Sequence, residues 1–93
     1  MSQFTKGVDV FTLKWELQFS LSELVDCGLF THNLYIEIHS IKKVSQGYSV
    51  EGEYRCVSIA KKTTVEKGRF VVIVDPESYK IIEIIEFERK GQS

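Results

Sequence analysis

Residues 11–21 read FTLKWELQFSL, and apolar and polar side chains alternate without a break through this stretch. A period of two is typical of a β-strand that has one face in the core and the other in water. On a helix, the six apolar side chains would spread around the whole circumference and could not share one buried face. The pattern therefore predicts a long first strand with Trp15 on its buried face.

A short helix is predicted directly after this strand. Ser20 stands three residues before Glu23, which is the spacing of a capping box at a helix N-terminus. Gly28 can adopt the left-handed conformation that ends a helix. These signals predict a helix over residues 21–27, packed beside a sheet.

Two further strands are predicted between residues 34 and 56. Apolar and polar residues alternate over residues 34–38 and again over residues 48–56, and Ser45, Gln46 and Gly47 form a turn between them. The alternation changes phase after residue 38, which predicts a β-bulge near Ser40. This segment is therefore expected to form an antiparallel hairpin.

The C-terminal third contains one predicted central strand and one segment whose secondary structure the sequence leaves ambiguous. Residues 61–68 are the most polar of the chain and predict a loop or a hairpin tip, whereas residues 69–75 are apolar on both faces and predict a central strand. Residues 76–90 begin with signals of a helix but contain four closely spaced isoleucines, which favour a strand. A strand after a turn at residues 75–78 is the preferred interpretation, and a helix remains the alternative.

Composition supports a β-rich protein. The 93 residues include ten Val, nine Ile and five Thr against a single alanine, which favours extended over helical backbone. We expect one domain over residues 1–93, of α+β class and mostly β. Its single, curled antiparallel sheet has about five strands, with one short helix after the first strand. The predicted core comprises Trp15, Phe19, Leu34, Ile36, Tyr54, Phe70 and Val72.

The hairpin sequence VVIVDPESYKIIEI at residues 71–84 and the order of the predicted elements resemble the cystatin-like architecture. Inhibitor cystatins carry a Gln-x-Val-x-Gly hairpin; the nearest match here is Tyr48, Val50 and Gly52, with tyrosine in place of glutamine. The second-hairpin Pro-Trp of those inhibitors is absent from this sequence. The resemblance therefore implies a shared order of elements and does not imply protease inhibition.

The N-terminal residues and the cysteines suggest a cytoplasmic protein. Residues 1–10 include Lys6 and Asp9 and have no apolar run of the kind found in a secretory signal. No uncharged apolar run approaches the roughly 20 residues that cross a bilayer, so no membrane partner is expected. Cys27 and Cys56 are expected to be reduced thiols.

Motifs of known catalytic chemistry do not occur in the sequence. The six glycines are scattered singly, which excludes a glycine-rich phosphate loop. The spacing of Cys27, His32 and His39 matches no common zinc pattern. We expect no enzyme activity, no cofactor and no metal, and a small-ligand or catalytic pocket built from these three residues is the weaker alternative.

Positive charge is concentrated in the middle of the chain, where residues 41–70 contain seven Lys and Arg against three Glu. The leading hypothesis is a non-catalytic module that binds an acidic protein partner through an edge strand or the basic loop at residues 61–69. A homodimer through edge strands is a further expectation. The alternative is single-stranded nucleic acid bound by residues 42–69, with Tyr48 and Tyr54 stacking on bases. The predicted basic patch comprises Lys42, Lys43, Arg55, Lys61, Lys62, Lys67 and Arg69.

Overall fold

The computed structural model describes residues 7–25, 27–28 and 30–91, which form one helix followed by four strands. The strands pair antiparallel in a single open sheet of order β1-β2-β3-β4. The predicted α+β class, mostly β with one antiparallel sheet and one helix, is confirmed, with four strands in place of about five. The elements are α1 (Val10–Leu24), β1 (His32–Val44), β2 (Gly47–Ser58), β3 (Thr64–Val74) and β4 (Ile81–Gly91).

The predicted first strand is wrong, because residues 11–21 lie within α1. The Asp9 carboxylate caps the helix by accepting a hydrogen bond from the Thr12 backbone N–H. Only Val10 and Thr12 among its fifteen residues are β-branched, so little in the segment opposes helical backbone. The helix is held on the sheet by Leu13, Leu17 and Leu21, which are fully buried.

The alternation in this segment comes from two stripes on opposite sides of one helix. The leucines recur every fourth residue, and so do Phe11, Trp15 and Phe19, which are offset from them by two positions or about 200°. The three aromatic side chains are 78%, 54% and 47% exposed, respectively. Trp15 and Phe19 therefore lie on the solvent face of α1, so the prediction that both belong to the core is wrong.

The separate helix predicted at residues 21–27 does not form. Residues 21–24 are the last turn of α1, and Val25 caps it by donating its backbone N–H to the Leu21 carbonyl. Ser20 and Glu23 lie inside the helix, so they cannot form a capping box at its start.

The β1–β2 hairpin and its bulge agree with the prediction. A turn at Ser45 and Gln46 joins the two strands. Ile38 pairs with Gly52, and Ser40 pairs with the next residue along β2, so His39 is the extra residue of the bulge.

Strand β3 is interior to the sheet, as predicted for the segment that is apolar on both faces. Phe70, Val72 and Val74 have no exposed surface on the face that packs against α1, and Ile73 on the opposite face is 6% exposed. The strand begins at Thr64, so the connection that precedes it is shorter than the loop predicted over residues 61–68.

The ambiguous C-terminal segment is a strand, which confirms the preferred interpretation. The Asp75 carboxylate accepts hydrogen bonds from the backbone N–H groups of Glu77 and Ser78, closing the turn before β4. Tyr79 then adopts a φ of 64°. The chain reverses at this point, and a helix starting at residue 76 is excluded.

The segment after α1 is tied to the sheet by a disulfide between Cys27 and Cys56, whose Cα atoms are 6.2 Å apart. The expectation of two reduced thiols is therefore wrong. Both residues are buried in the core between α1 and the sheet. Over the described residues, no helix is both long and apolar enough to cross a membrane.

Candidate functional site

An apolar groove of about 460 Å³ runs between α1 and the edge strand β1. One wall comes from the helix, including part of its exposed aromatic stripe, and the other comes from the first half of the strand. The lining residues are Phe11, Lys14, Trp15, Gln18, Asn33, Leu34, Tyr35 and Ile36.

Two contacts fix the walls of this groove. The Gln18 side-chain amide donates a hydrogen bond to the Leu34 carbonyl at 3.3 Å, which joins the helix to the strand. The Trp15 and Phe19 rings pack edge to face with their centroids 5.3 Å apart. Because these two rings contact each other and remain half exposed, their outer surfaces are available to another molecule.

The groove continues into a second depression of about 310 Å³ at the edge of the sheet. Tyr35 and Ile36 line both cavities. The Arg55 guanidinium lies 5.4 Å from the centre of the Tyr35 ring, a cation–π geometry, and Lys67 lines the same depression. Glu37 and Glu53 line this depression as well, so charges of both signs stand at the end of the apolar groove.

The structure divides the predicted basic patch. Arg55 is directly opposite Lys67 in the β2–β3 register, and Lys61 and Lys62 lie in the connection at that end of the sheet. These four residues form one group.

The other predicted basic residues lie elsewhere. Lys42 and Lys43 are at the far end of β1, roughly 23 Å from Tyr35 at the usual rise of an extended strand. Arg69 lies between the two ends, with its guanidinium 3.4 Å from a Glu51 carboxylate oxygen. The seven residues therefore do not form one continuous surface.

The two tyrosines proposed to stack on bases face the helix side of the sheet. Tyr54 is only 2% exposed, and its ring stacks on Phe87 with centroids 5.6 Å apart. Tyr48 is partly buried against Tyr79, with centroids 6.5 Å apart. This placement removes the argument from which a stacking role was predicted.

A polar cluster at the edge of the core links β2, β3 and β4. Arg89 donates two hydrogen bonds to the Glu66 carboxylate, at 2.6 and 3.0 Å, and these bonds lower the pKa of Glu66. The Tyr54 hydroxyl donates to the same carboxylate at 2.7 Å. Burial, reinforced by this bond, raises the pKa of Tyr54. Each of these polar groups therefore has a hydrogen-bond partner. We call the cluster of Tyr54, Glu66 and Arg89 the Glu66 clasp.

The three residues of the predicted catalytic pocket do not converge. Cys27 is buried in the disulfide, and His32 places its Nδ1 atom 2.7 Å from the Thr31 hydroxyl. His39 is seven residues further along β1, roughly 23 Å from His32. No site with a nucleophile next to a base results from this arrangement.

His39 instead lies beside two carboxylates on the open face of the sheet. Donor atoms of Glu37, His39 and Glu53 all lie within 4.8 Å of one another. Residue spacing along the chain could not reveal this group, because Glu53 comes from the neighbouring strand. The aromatic stripe, in contrast, could be found by counting every fourth residue from Phe11.

Comparison with known proteins adds no assignment, because no family model, curated protein or solved structure matches the chain.

Proposed function

We propose that this chain is a non-catalytic protein-binding module whose contact surface is the aromatic stripe of α1, formed by Phe11, Trp15 and Phe19, together with the adjoining groove. The exposure of three large aromatic side chains on one helix face carries the proposal. Their exposed surface adds little to folding, whereas tryptophan and other aromatic residues dominate the energetic centres of protein interfaces.

The partner we propose is a protein segment with an apolar anchor residue and neighbouring acidic side chains. The apolar anchor would cover Trp15 and enter the groove. Among the described residues, Lys14 is the one charged residue that lines the groove. Beyond Tyr35, the basic residues Arg55 and Lys67 lie in a depression that Glu37 and Glu53 also line. An acidic partner agrees with the expectation from sequence. The surface proposed here keeps the edge-strand alternative, as β1, and adds α1 in place of the loop at residues 61–69.

Selection from a displayed library of random peptides tests this proposal. We expect enriched peptides to combine an aromatic or large aliphatic residue with Asp or Glu. Trp15 is the only tryptophan, so its fluorescence should shift to shorter wavelength when a selected peptide covers it. Trp15→Ala should weaken binding at least tenfold, because truncation of a central aromatic residue removes a binding hot spot.

Ile85→Ala is the matched control, because Ile85 is also 54% exposed but lies on the opposite edge strand β4. We expect this variant to bind selected peptides as tightly as the wild type. Peptides that bind both variants equally, or enrichment of basic sequences, would contradict the proposed surface.

Single-stranded nucleic acid remains the second candidate, supported by the group of Arg55, Lys61, Lys62 and Lys67 and by the half-exposed ring of Tyr35. Binding of a labelled single-stranded oligonucleotide in low salt tests this candidate. Affinity that falls steeply with added salt and with Lys61→Glu would favour it. Undetectable binding would leave the protein partner as the proposal.

The cytoplasmic location expected from sequence is opposed by the disulfide. Structural disulfides persist in oxidising compartments and are rare in the cytosol. We therefore propose that the protein acts where the Cys27–Cys56 bond is stable.

A further inference from the structure

The open face of the sheet carries two carboxylates in direct opposition. Glu37 on β1 pairs with Glu53 on β2, and both side chains are exposed on the face away from α1. Like charges directly opposite each other in a sheet are destabilising. This pair therefore gains stability from any cation that binds between the two side chains.

The β-bulge supplies a nitrogen ligand at the same place. His39 is the extra residue between the Ile38 and Ser40 pairings, and its Nε2 atom lies 3.6 Å from a Glu53 carboxylate oxygen. Bulges often redirect a side chain at a functional site. Here the bulge adds an imidazole to two carboxylates.

The arginine opposite Glu53 on the neighbouring strand is engaged elsewhere. Arg69 is the partner of Glu53 in the β2–β3 register, but its guanidinium lies against Glu51. Among the described residues, no Lys or Arg nitrogen lies within 4.0 Å of a Glu37 or Glu53 carboxylate oxygen, although Arg55 and Lys67 line the same depression. The negative charge of the pair is therefore available to a metal ion.

We propose that Glu37, His39 and Glu53 bind a divalent transition-metal ion, for which Zn²⁺ is the first candidate. Imidazole nitrogen and carboxylate oxygen are both zinc ligands at about 2.0–2.2 Å, whereas Ca²⁺ and Mg²⁺ prefer oxygen alone. Tetrahedral ligands at such distances stand roughly 3.4 Å apart. The donor atoms are within 4.8 Å, and small rotations of the exposed side chains bring them together. Water completes the coordination.

Zinc titration of the chain without an affinity tag, followed by calorimetry, tests the site. We expect one Zn²⁺ per chain. Glu53→Gln and His39→Gln should each weaken binding at least tenfold, because each removes one of three protein ligands. The matched controls are Glu86→Gln, which changes an exposed glutamate on β4, and His32→Gln, which changes the other histidine. Neither control should alter the affinity.

Thermal unfolding is a second measurement. It distinguishes a variant that has lost a metal-binding side chain from a variant whose fold is destabilised. Zn²⁺ should raise the unfolding temperature of the wild type and of both controls, but not that of Glu53→Gln. Without metal, Glu53→Gln should be at least as stable as the wild type, because the opposed carboxylates are gone. Absence of binding at millimolar Zn²⁺, or unchanged binding by His39→Gln, would overturn the proposal.

Discussion

A single carboxylate, that of Glu66, connects three strands of the sheet at the edge of the core. It accepts hydrogen bonds from Tyr54 on β2 and from Arg89 on β4. Gly68 makes this arrangement compatible with close packing, because a Cβ atom there would approach Tyr54 Cε2 to 2.7 Å and would collide with the Glu88 carbonyl. A side chain at position 68 would therefore displace the Tyr54 ring, whose hydroxyl donates to Glu66.

The Glu66 clasp predicts how stability changes with acid. Hydrogen bonds from Arg89 lower the pKa of Glu66 below its unfolded value of 4.5, so the folded state favours the charged form. The resulting stabilisation is fully present well above pH 4.5 and is lost as the pH falls through the lower, folded-state pKa. Glu66→Gln should reduce stability at pH 7 and flatten the acid dependence between pH 5 and 3.

Urea unfolding at a series of pH values measures this effect, and Glu88→Gln is the control. Glu88 is exposed on the neighbouring strand, so its replacement should leave the acid dependence unchanged. Parallel pH profiles for Glu66→Gln and the wild type would show that the clasp does not contribute to acid sensitivity.

At the scale of elements, we expect substitutions in the two stripes of α1 to differ sharply in their effect on the stability of the fold. Leu17→Ala should destabilise the fold by about 2–5 kcal/mol, because it opens a cavity in a buried position. Trp15→Ala should cost about 1 kcal/mol or less, because the indole is half exposed. Chemical denaturation followed by far-ultraviolet circular dichroism measures both. A larger loss for Trp15→Ala would place the indole in the core.

The same helix shows that the apolar pattern of residues 11–21 could not decide between a strand and a helix. Apolar residues at every second position fit a strand with one buried face, and they also fit a helix with two apolar stripes. The choice depends on whether Phe11, Trp15 and Phe19 are buried by the chain's own sheet, which residue order does not determine. Strands β1 and β2 were predictable because β-branched residues, turn residues and alternation agreed there, whereas helix-start signals at residues 76–77 left β4 ambiguous.

The candidate sites differ in how far the sequence could predict them. The excess of lysine and arginine in residues 41–70 was visible, but its division into separate groups follows from strand register. Glu37, His39 and Glu53 come together only because one strand bulges opposite its neighbour. Cross-strand register depends on the assembled sheet, so spacing along the chain could not supply it.

For the whole molecule, the Cys27–Cys56 disulfide predicts a strong redox dependence of stability. It joins residues 29 positions apart, and loop-closure entropy assigns such a crosslink about 3–4 kcal/mol. Reduction, or the double substitution Cys27→Ser and Cys56→Ser, should lower the free energy of unfolding by this amount. Thiol titration of the unfolded, unreduced chain should find no free thiol. Two titratable thiols in air-purified protein would contradict the bond.

The order β1-β2-β3-β4 also bears on how the chain folds. Each strand pairs only with the strand next to it in sequence, so no hydrogen-bonded ladder requires two distant segments to meet first. The sheet can grow hairpin by hairpin, each step closing a short loop at low entropic cost. Helix α1 packs on the sheet through its buried leucines and through the Gln18 side chain, which donates to the Leu34 carbonyl, so it can dock after the hairpins have formed. Refolding is then expected to be fast for a protein so rich in strands.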